Sequence, residues 1–150
     1  MRPWLSFFKY TRLLVLLFGG LVCTTVNAAG NQVVIVANAS LAINSINENE
    51  LLRIYLLRQT FWSDGSPIIA LNLEANSPTR DIFTTQVLKQ TSSALANHWQ
   101  QMHFKGKTPP LVQNSDQAIL MFVEKVQGAI GYISSDTPVS NHVKVLAKLP

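Results

Sequence analysis

The chain is poor in charge and almost free of cysteine. Only 13% of its 150 residues are Asp, Glu, Lys or Arg, and Cys23 is the single cysteine. One cysteine excludes an internal disulfide and a cysteine-rich metal site, so stability must come from packing. The apolar run from Leu13 to Val22 is shorter than the roughly 20 residues that span a membrane, and Gly19 and Gly20 interrupt it. A permanent membrane anchor is therefore not expected.

The first 29 residues have the pattern of an export signal. Three basic residues precede the apolar run, namely Arg2, Lys9 and Arg12. A small-x-small pattern that a signal peptidase accepts ends at Ala28. We predict a signal peptide over residues 1–28 and a mature domain over residues 29–150. The mature domain is expected in the periplasm and not embedded in the membrane.

Cleavage would also change the charge of the chain. Loss of the three basic residues lowers their number from 12 to 9 against 8 acidic ones, and the net charge from +4 to +1. Nucleic-acid binding is therefore not predicted. About 122 residues remain, which suffices for one domain with its own core and not for two.

The mature chain alternates strand-like and helix-like patterns. A continuous β-branched run at 32–37 predicts a strand that is covered on both faces and central in its sheet. Asn47 and Glu50 form a capping box that opens a helix. Further strands are predicted at 68–73, 129–133 and 142–148, and further helices near Ser77, Ser92 and Ser115. This order predicts a single-domain α/β three-layer sandwich with a mostly parallel or mixed sheet.

The candidate site is the polar turn NSPTR at residues 76–80, between a predicted strand and a predicted helix. Ser77 can cap the helix, and Pro78 fits the first helical position, where its missing N–H costs nothing. Thr79 and Arg80 then place a hydroxyl and a guanidinium in the first turn. With free backbone N–H groups and the helix dipole, Asn76, Ser77, Thr79 and Arg80 can hold an oxyanion. The alternative is a capped helix with Arg80 solvated on its surface.

Three motifs in order resemble a known family. Residues 54–68 (IYLLRQTFWSDGSPI) resemble the IFxGkxtxWxDGxPI segment of periplasmic phosphate-binding proteins, the substrate-binding subunits of phosphate ABC transporters. Residues 128–132 are similar to the GAIGY strand of that family. Between them, residues 76–80 stand where the family has its phosphate-gripping GSGTT. The resemblance covers roughly Val33 to Ser134 and implies the fold of one lobe of a periplasmic binding protein.

The resemblance also implies a function. It predicts a non-enzymatic module that binds phosphate or a similar oxyanion through the hydroxyls of Ser77 and Thr79, without a cofactor. The chain departs from the family at both glycines of the motif, which are Asn76 and Pro78 here, and at Leu73, where the family has an arginine. We expect Arg80 to supply the missing cation.

The family protein closes two lobes on its ligand, whereas this chain is long enough for one. The glycine-rich loop that contributes further anion contacts in the family is absent. A single lobe should bind the anion weakly, because an anion that is open to water keeps its hydration. A second copy of the chain that completed the cleft, as a homodimer, would remove this weakness.

Other chemistries have little support in the sequence. No Ser/His/Asp arrangement has a motif-like context, so a hydrolase is not predicted. Lys107 and Thr108 resemble the end of a P-loop, but the first glycine of that motif would fall at Gln101. His98 and His103 are five residues apart and would lie on different faces of a helix, which argues against a metal site.

The rival hypothesis is an interaction module that has kept the lobe and lost the ligand. It would dock onto a permease or sensor of the inner membrane or onto an envelope assembly. Its distinguishing feature would be an exposed apolar patch around Phe61 and Trp62. The opposite expectation is that these two aromatic residues pin their loop to the core.

Overall fold

The computed structural model describes residues 32–149, so the predicted signal peptide and its cleavage site lie outside the described residues. In chain order the elements are β1 (Val33–Asn38), α1 (Glu48–Tyr55), β2 (Ile69–Leu73), α2 (Pro78–Ile82), a π-helical segment (Phe83–Val87), α3 (Ser92–Phe104), β3 (Leu111–Gln113), α4 (Asp116–Lys125), β4 (Ala129–Ser134) and β5 (Val143–Leu149).

The strands form one mixed sheet in the order β3-β2-β4-β1-β5. Strand β2 is parallel to β3 and β4, and β1 is antiparallel to both of its neighbours. All six residues of β1 are buried, as their β-branched run predicts. The predicted α/β class with a mixed sheet is confirmed.

Helices cover both faces of the sheet. On one face, α4 packs close to β4 because Gly131 has no side chain. A Cβ at Gly131 would lie 2.6 Å from Cγ2 of Ile119. On the other face, the rings of Tyr55, Phe83 and Tyr132 form a cluster. Phe83 stacks on Tyr132 with 3.9 Å between centroids, and it meets Tyr55 edge-on at 4.6 Å.

The predicted capping box forms, and the loop before β2 has a tight turn of its own. Asn47 and Glu50 exchange backbone-to-side-chain hydrogen bonds of 3.0 and 3.1 Å, which is a complete capping box. In the loop before β2, Gly65 has a φ of +84°. Asp64 accepts bonds from the hydroxyl (2.6 Å) and the N–H (2.8 Å) of Ser66, and these bonds hold the pKa of Asp64 below its usual range.

The two aromatic residues of this loop have different environments. Trp62 is buried and donates a 3.0 Å hydrogen bond from Nε1 to the carbonyl oxygen of Gly128, so it pins the loop to the core as expected. Phe61 next to it is 60% exposed, so the expectation that it also pins the loop is wrong. Successive side chains of an extended segment point to opposite sides, and only one of the two can reach the core.

One element differs from the expectations, and one helix is only partly buried. Strand β3 was not predicted, because three residues after Pro109 and Pro110 carry no strand pattern of their own. Helix α3 has only Leu95 fully buried, and Trp99 and Met102, which follow it at i+4 and i+7, are half-buried. Within residues 32–149, no helix has the length and apolar character that crossing a bilayer requires.

Candidate functional site

The candidate turn lies where parallel strands end. Strand β2 ends at Leu73 and leads into the candidate turn at 76–80, and its parallel partners β3 and β4 end at the same edge of the sheet. In open α/β sheets this edge is the usual ligand position. Asp116, the first residue of α4, is also there and accepts hydrogen bonds from the N–H of Ser134 (2.9 Å) and the hydroxyl of Thr137 (2.6 Å).

The first turn of α2 uses most of its backbone donors internally. Oγ of Ser77 accepts a 3.4 Å bond from the N–H of Arg80, and the carbonyl oxygen of Ser77 accepts a 3.1 Å bond from the N–H of Asp81. Pro78 has no N–H. Among residues 32–149, no acceptor bonds the N–H of Asn76 or of Thr79, so residues 76–80 offer two free backbone donors. The hydroxyl groups of Ser77 and Thr79 add two further donors.

Arg80 folds back over the end of β2. Its Nη1 donates a 2.6 Å hydrogen bond to the carbonyl oxygen of Leu73, and its side chain is half-buried. Leu73 is the position at which the family resemblance predicts an arginine. The guanidinium of Arg80, which comes from α2, thus lies against the backbone of Leu73, where the family would have its own arginine. Asn76 is exposed, and Ser77 and Thr79 are half-buried beside it, so the four predicted residues form one contiguous cluster.

Tyr132 of β4 fixes the end of β2 beneath this cluster. Its hydroxyl donates to Oδ1 of Asn72 and accepts a 3.3 Å bond from the N–H of Leu73. Burial raises the pKa of Tyr132 well above its ordinary value, and the bond from Leu73 and the charge of Arg80 offset part of that rise. The phenol is therefore neutral at physiological pH and acts as donor and acceptor at once.

A groove adjoins the turn. Its volume is about 170 Å³. The groove is lined by Ala75, Arg80, Asp81, Thr84, Ser92, Leu95, Ala96 and Trp99. Asp81 would repel an anion, so an anion is favoured only on the Arg80 side.

Sequence reasoning missed Thr84 and Trp99 as lining residues. The spacing of Trp99 in α3 is that of a core residue, and nothing in the sequence marks the π-helical segment that carries Thr84. The described residues contain no group of three His, Cys, Asp or Glu side chains that could hold a metal ion.

Comparisons with known proteins concern the fold. No protein-family model matches the chain, and no curated protein matches it in sequence. Among solved structures, a phosphate ABC transporter substrate-binding protein with bound phosphate from Clostridium perfringens is similar over 76% of this chain, at 20% identity and a TM-score of 0.62. An ABC-type phosphate transport receptor from Vibrio cholerae is similar over 76%, at 23% identity and a TM-score of 0.61.

A third structure agrees with these two. PstS from Borrelia burgdorferi is similar over 79% of this chain, at 14% identity and a TM-score of 0.60. The matches cover 43%, 44% and 48% of the three solved chains, so this chain spans less than half of their length. The described residues thus have the fold of part of a phosphate-binding protein, as the sequence motifs predict.

Proposed function

We propose that this chain is a solute-binding module for phosphate or a similar oxyanion, with its site at Asn76, Ser77, Thr79 and Arg80. The observation that carries the proposal is the position of Arg80. Its guanidinium is tied to the carbonyl oxygen of Leu73, at the ligand edge of a fold shared with phosphate-binding proteins. An arginine fixed in this way loses little side-chain freedom when it meets an anion.

The donors of the site have distinct roles in this proposal. Nη1 of Arg80 donates to the carbonyl oxygen of Leu73, and the remaining N–H groups of the guanidinium are donors for anion oxygens. The hydroxyls of Ser77 and Thr79 and the N–H of Thr79 supply neutral bonds that fix the orientation of the anion. None of these groups changes its covalent state, so a binding role suits the site better than catalysis.

The experiment is calorimetric titration of the protein with phosphate and with sulfate, repeated on an Arg80→Ala variant. Loss of a charged donor should weaken binding by ~1.5–3 kcal/mol. Arg53→Ala is the matched control, because it removes an exposed arginine from α1, away from the turn. No heat from the native protein at millimolar anion, or equal losses in both variants, would sink the proposal.

The proposal also covers the location of the protein, its partners and its oligomeric state. We place it in the periplasm, as the mature domain over residues 29–150 beside an inner-membrane permease or sensor. A second copy facing the turn would supply the missing side of the site, as a homodimer. Sedimentation velocity during the same titrations tests this: phosphate should increase the dimer fraction, and an unchanged monomer at saturating phosphate would exclude it.

The rival proposal, a ligand-free interaction module, has one observation in its favour. Phe61 is exposed, as a contact residue would be, although Trp62 beside it is buried. The calorimetric titration distinguishes the two proposals, because the rival predicts no heat of binding with any small anion.

A further inference from the structure

The end of the sheet opposite the candidate turn carries a surface that anion binding does not use. The loop before β2 and the loop before β3 both lie there, because β2 and β3 are parallel and begin at the same end. Thr60 of the first loop and Thr108 of the second line one groove of about 180 Å³, so the two loops are neighbours.

Aromatic side chains at this end lie in solvent. Phe104, the last residue of α3, is 88% exposed, and Phe61 is 60% exposed. Residues 103–109 form an unbroken exposed run, so Phe104 belongs to a protruding segment. Both rings are thus open to solvent, one at the end of α3 and one in the loop before β2.

Basic residues are close in sequence to these rings. Arg58 lies in the first loop, and Lys105 and Lys107 lie in the second. Asp64 is the only acidic residue in either loop, and no acidic residue occurs between Asp81 and Asp116. Within residues 32–149 the one ion pair joins Lys89 to Glu48, so no carboxylate pairs with the cations of this end.

We infer that this basic rim, formed by Arg58, Phe61, Phe104, Lys105 and Lys107, docks the protein on an anionic phospholipid surface. Lysine and arginine side chains gain free energy close to anionic headgroups, and an aromatic ring gains it in the interface. A protruding aromatic tip with flanking cations matches both features. A protein partner would need a pocket for Phe104, whereas a lipid surface accepts a protruding ring without one.

The docking surface and the candidate anion site lie at opposite ends of β2. A domain seated on lipid through the basic rim would turn its candidate site away from the membrane. The inference does not rest on anion binding, because none of the rim residues belongs to the turn at 76–80. A negative anion titration would not contradict the lipid docking, and absence of lipid docking would not contradict anion binding.

The test is co-sedimentation with vesicles of phosphatidylcholine alone and of phosphatidylcholine with about 30% phosphatidylglycerol, at about 50 mM salt. The native protein should bind the anionic vesicles and not the neutral ones. Phe104→Ser with Lys105→Ser should lower the partition coefficient about 50-fold, as about ten-fold for the ring and about five-fold for the lysine. Binding should also disappear at about 500 mM salt.

The control is Met121→Ser with Lys148→Ser. It likewise removes one exposed apolar residue and one exposed lysine, but outside the rim, and it should change partitioning less than two-fold. Every variant has the same N-terminus, so the comparison between variants reports only the substituted residues. Both substituted pairs are exposed, and circular dichroism checks that both variants remain folded. Equal partitioning of the two variants, binding to neutral vesicles alone, or no binding at all overturns the inference.

Discussion

A single buried phenol, that of Tyr132, connects the core to the candidate site. It bonds Asn72 and Leu73 at the point where β2 turns toward Ser77, and Phe83 stacks on its ring. We predict that Tyr132→Phe lowers the free energy of unfolding by about 2–4 kcal/mol, because it leaves a buried acceptor and a buried donor unpaired. Urea unfolding measures the loss.

Tyr55→Phe is the matched comparison. The Tyr55 hydroxyl makes one bond, of 2.9 Å, to the carbonyl oxygen of Leu71, so its removal should cost less than that of Tyr132. Larger destabilisation by Tyr55→Phe would contradict the assignment of Tyr132 as the anchor of the turn.

The same tyrosines give stability a pH dependence in the alkaline range. Burial raises the pKa of both, and for Tyr55 the neighbouring Tyr132 adds to the rise. Below the ordinary value of 10.0 both states keep these protons, and the contribution to stability is complete. Above it the unfolded chain loses protons that the folded chain retains, so stability falls as pH rises. Unfolding between about pH 8 and about pH 11 should show a shallower fall for Tyr132→Phe than for the native chain.

Two glycines allow a controlled comparison of backbone strain and steric conflict. Gly65 (φ +84°) and Gly128 (φ +77°) are both left-handed, but a Cβ at Gly65 meets nothing within 4 Å, whereas one at Gly128 would lie 2.2 Å from the carbonyl oxygen of Pro67. Gly65→Ala should cost about 1–2 kcal/mol for conformation alone. Gly128→Ala should cost about 2–5 kcal/mol, because overpacking against backbone is added. Equal thermal shifts for the two variants would show that Pro67 moves aside freely.

At the scale of elements, local chemistry predicts some boundaries and misses others. The capping box at Asn47 and the cap at Ser77 are recognisable because each depends on residues within one turn. Strand β3 is different, since its three residues are extended only through pairing with β2. The exposure of Phe61 and the burial of Trp62 follow equally from tertiary position. Such features have no signal in a single sequence.

The candidate site likewise combines features set by local sequence with features set by tertiary position. Its four residues can be proposed from the sequence because they lie within the five positions 76–80, whereas the bond from Arg80 to Leu73 depends on how α2 folds back over β2. The number of free N–H groups was overestimated, since Ser77 satisfies two of them through its own oxygens. Sequence patterns thus propose the cluster, and only the structure shows which of its donors are already bonded within the protein.

Helix α3 should be the least protected of the longer helices. Only Leu95 among its thirteen residues is fully buried, whereas α4 buries Ile119, Leu120 and Val123 in ten. Helical stability in proteins comes chiefly from packing of the apolar face. We predict that amides of α3 exchange with deuterium at least about ten-fold faster than those of α4. Equal protection would mean that α3 opens only with the whole domain.

At the scale of the whole molecule, one side chain near the end of the described residues bonds a loop near their start. Nζ of Lys144 in β5 donates to the carbonyl oxygens of Leu41 (2.5 Å) and Ile43 (3.1 Å) and to Oδ1 of Asn44 (3.3 Å). These bonds fix the loop that leads from β1 to α1. The domain thus closes through contacts between residues about a hundred positions apart, as the bond from Lys144 to Asn44 illustrates.

The pairing of β1 has a consequence for the time at which the chain can fold. Val33 lies opposite Ser134 in β4 and Leu149 in β5, so the first strand of the described chain has no partner until the last ones exist. On a ribosome that adds residues from the N-terminus onward, the sheet cannot close before residues 129–149 have been added. Such non-local pairing also slows the search for the native state. Strand β1 of a growing chain therefore stays unpaired until residues 129–149 have been added.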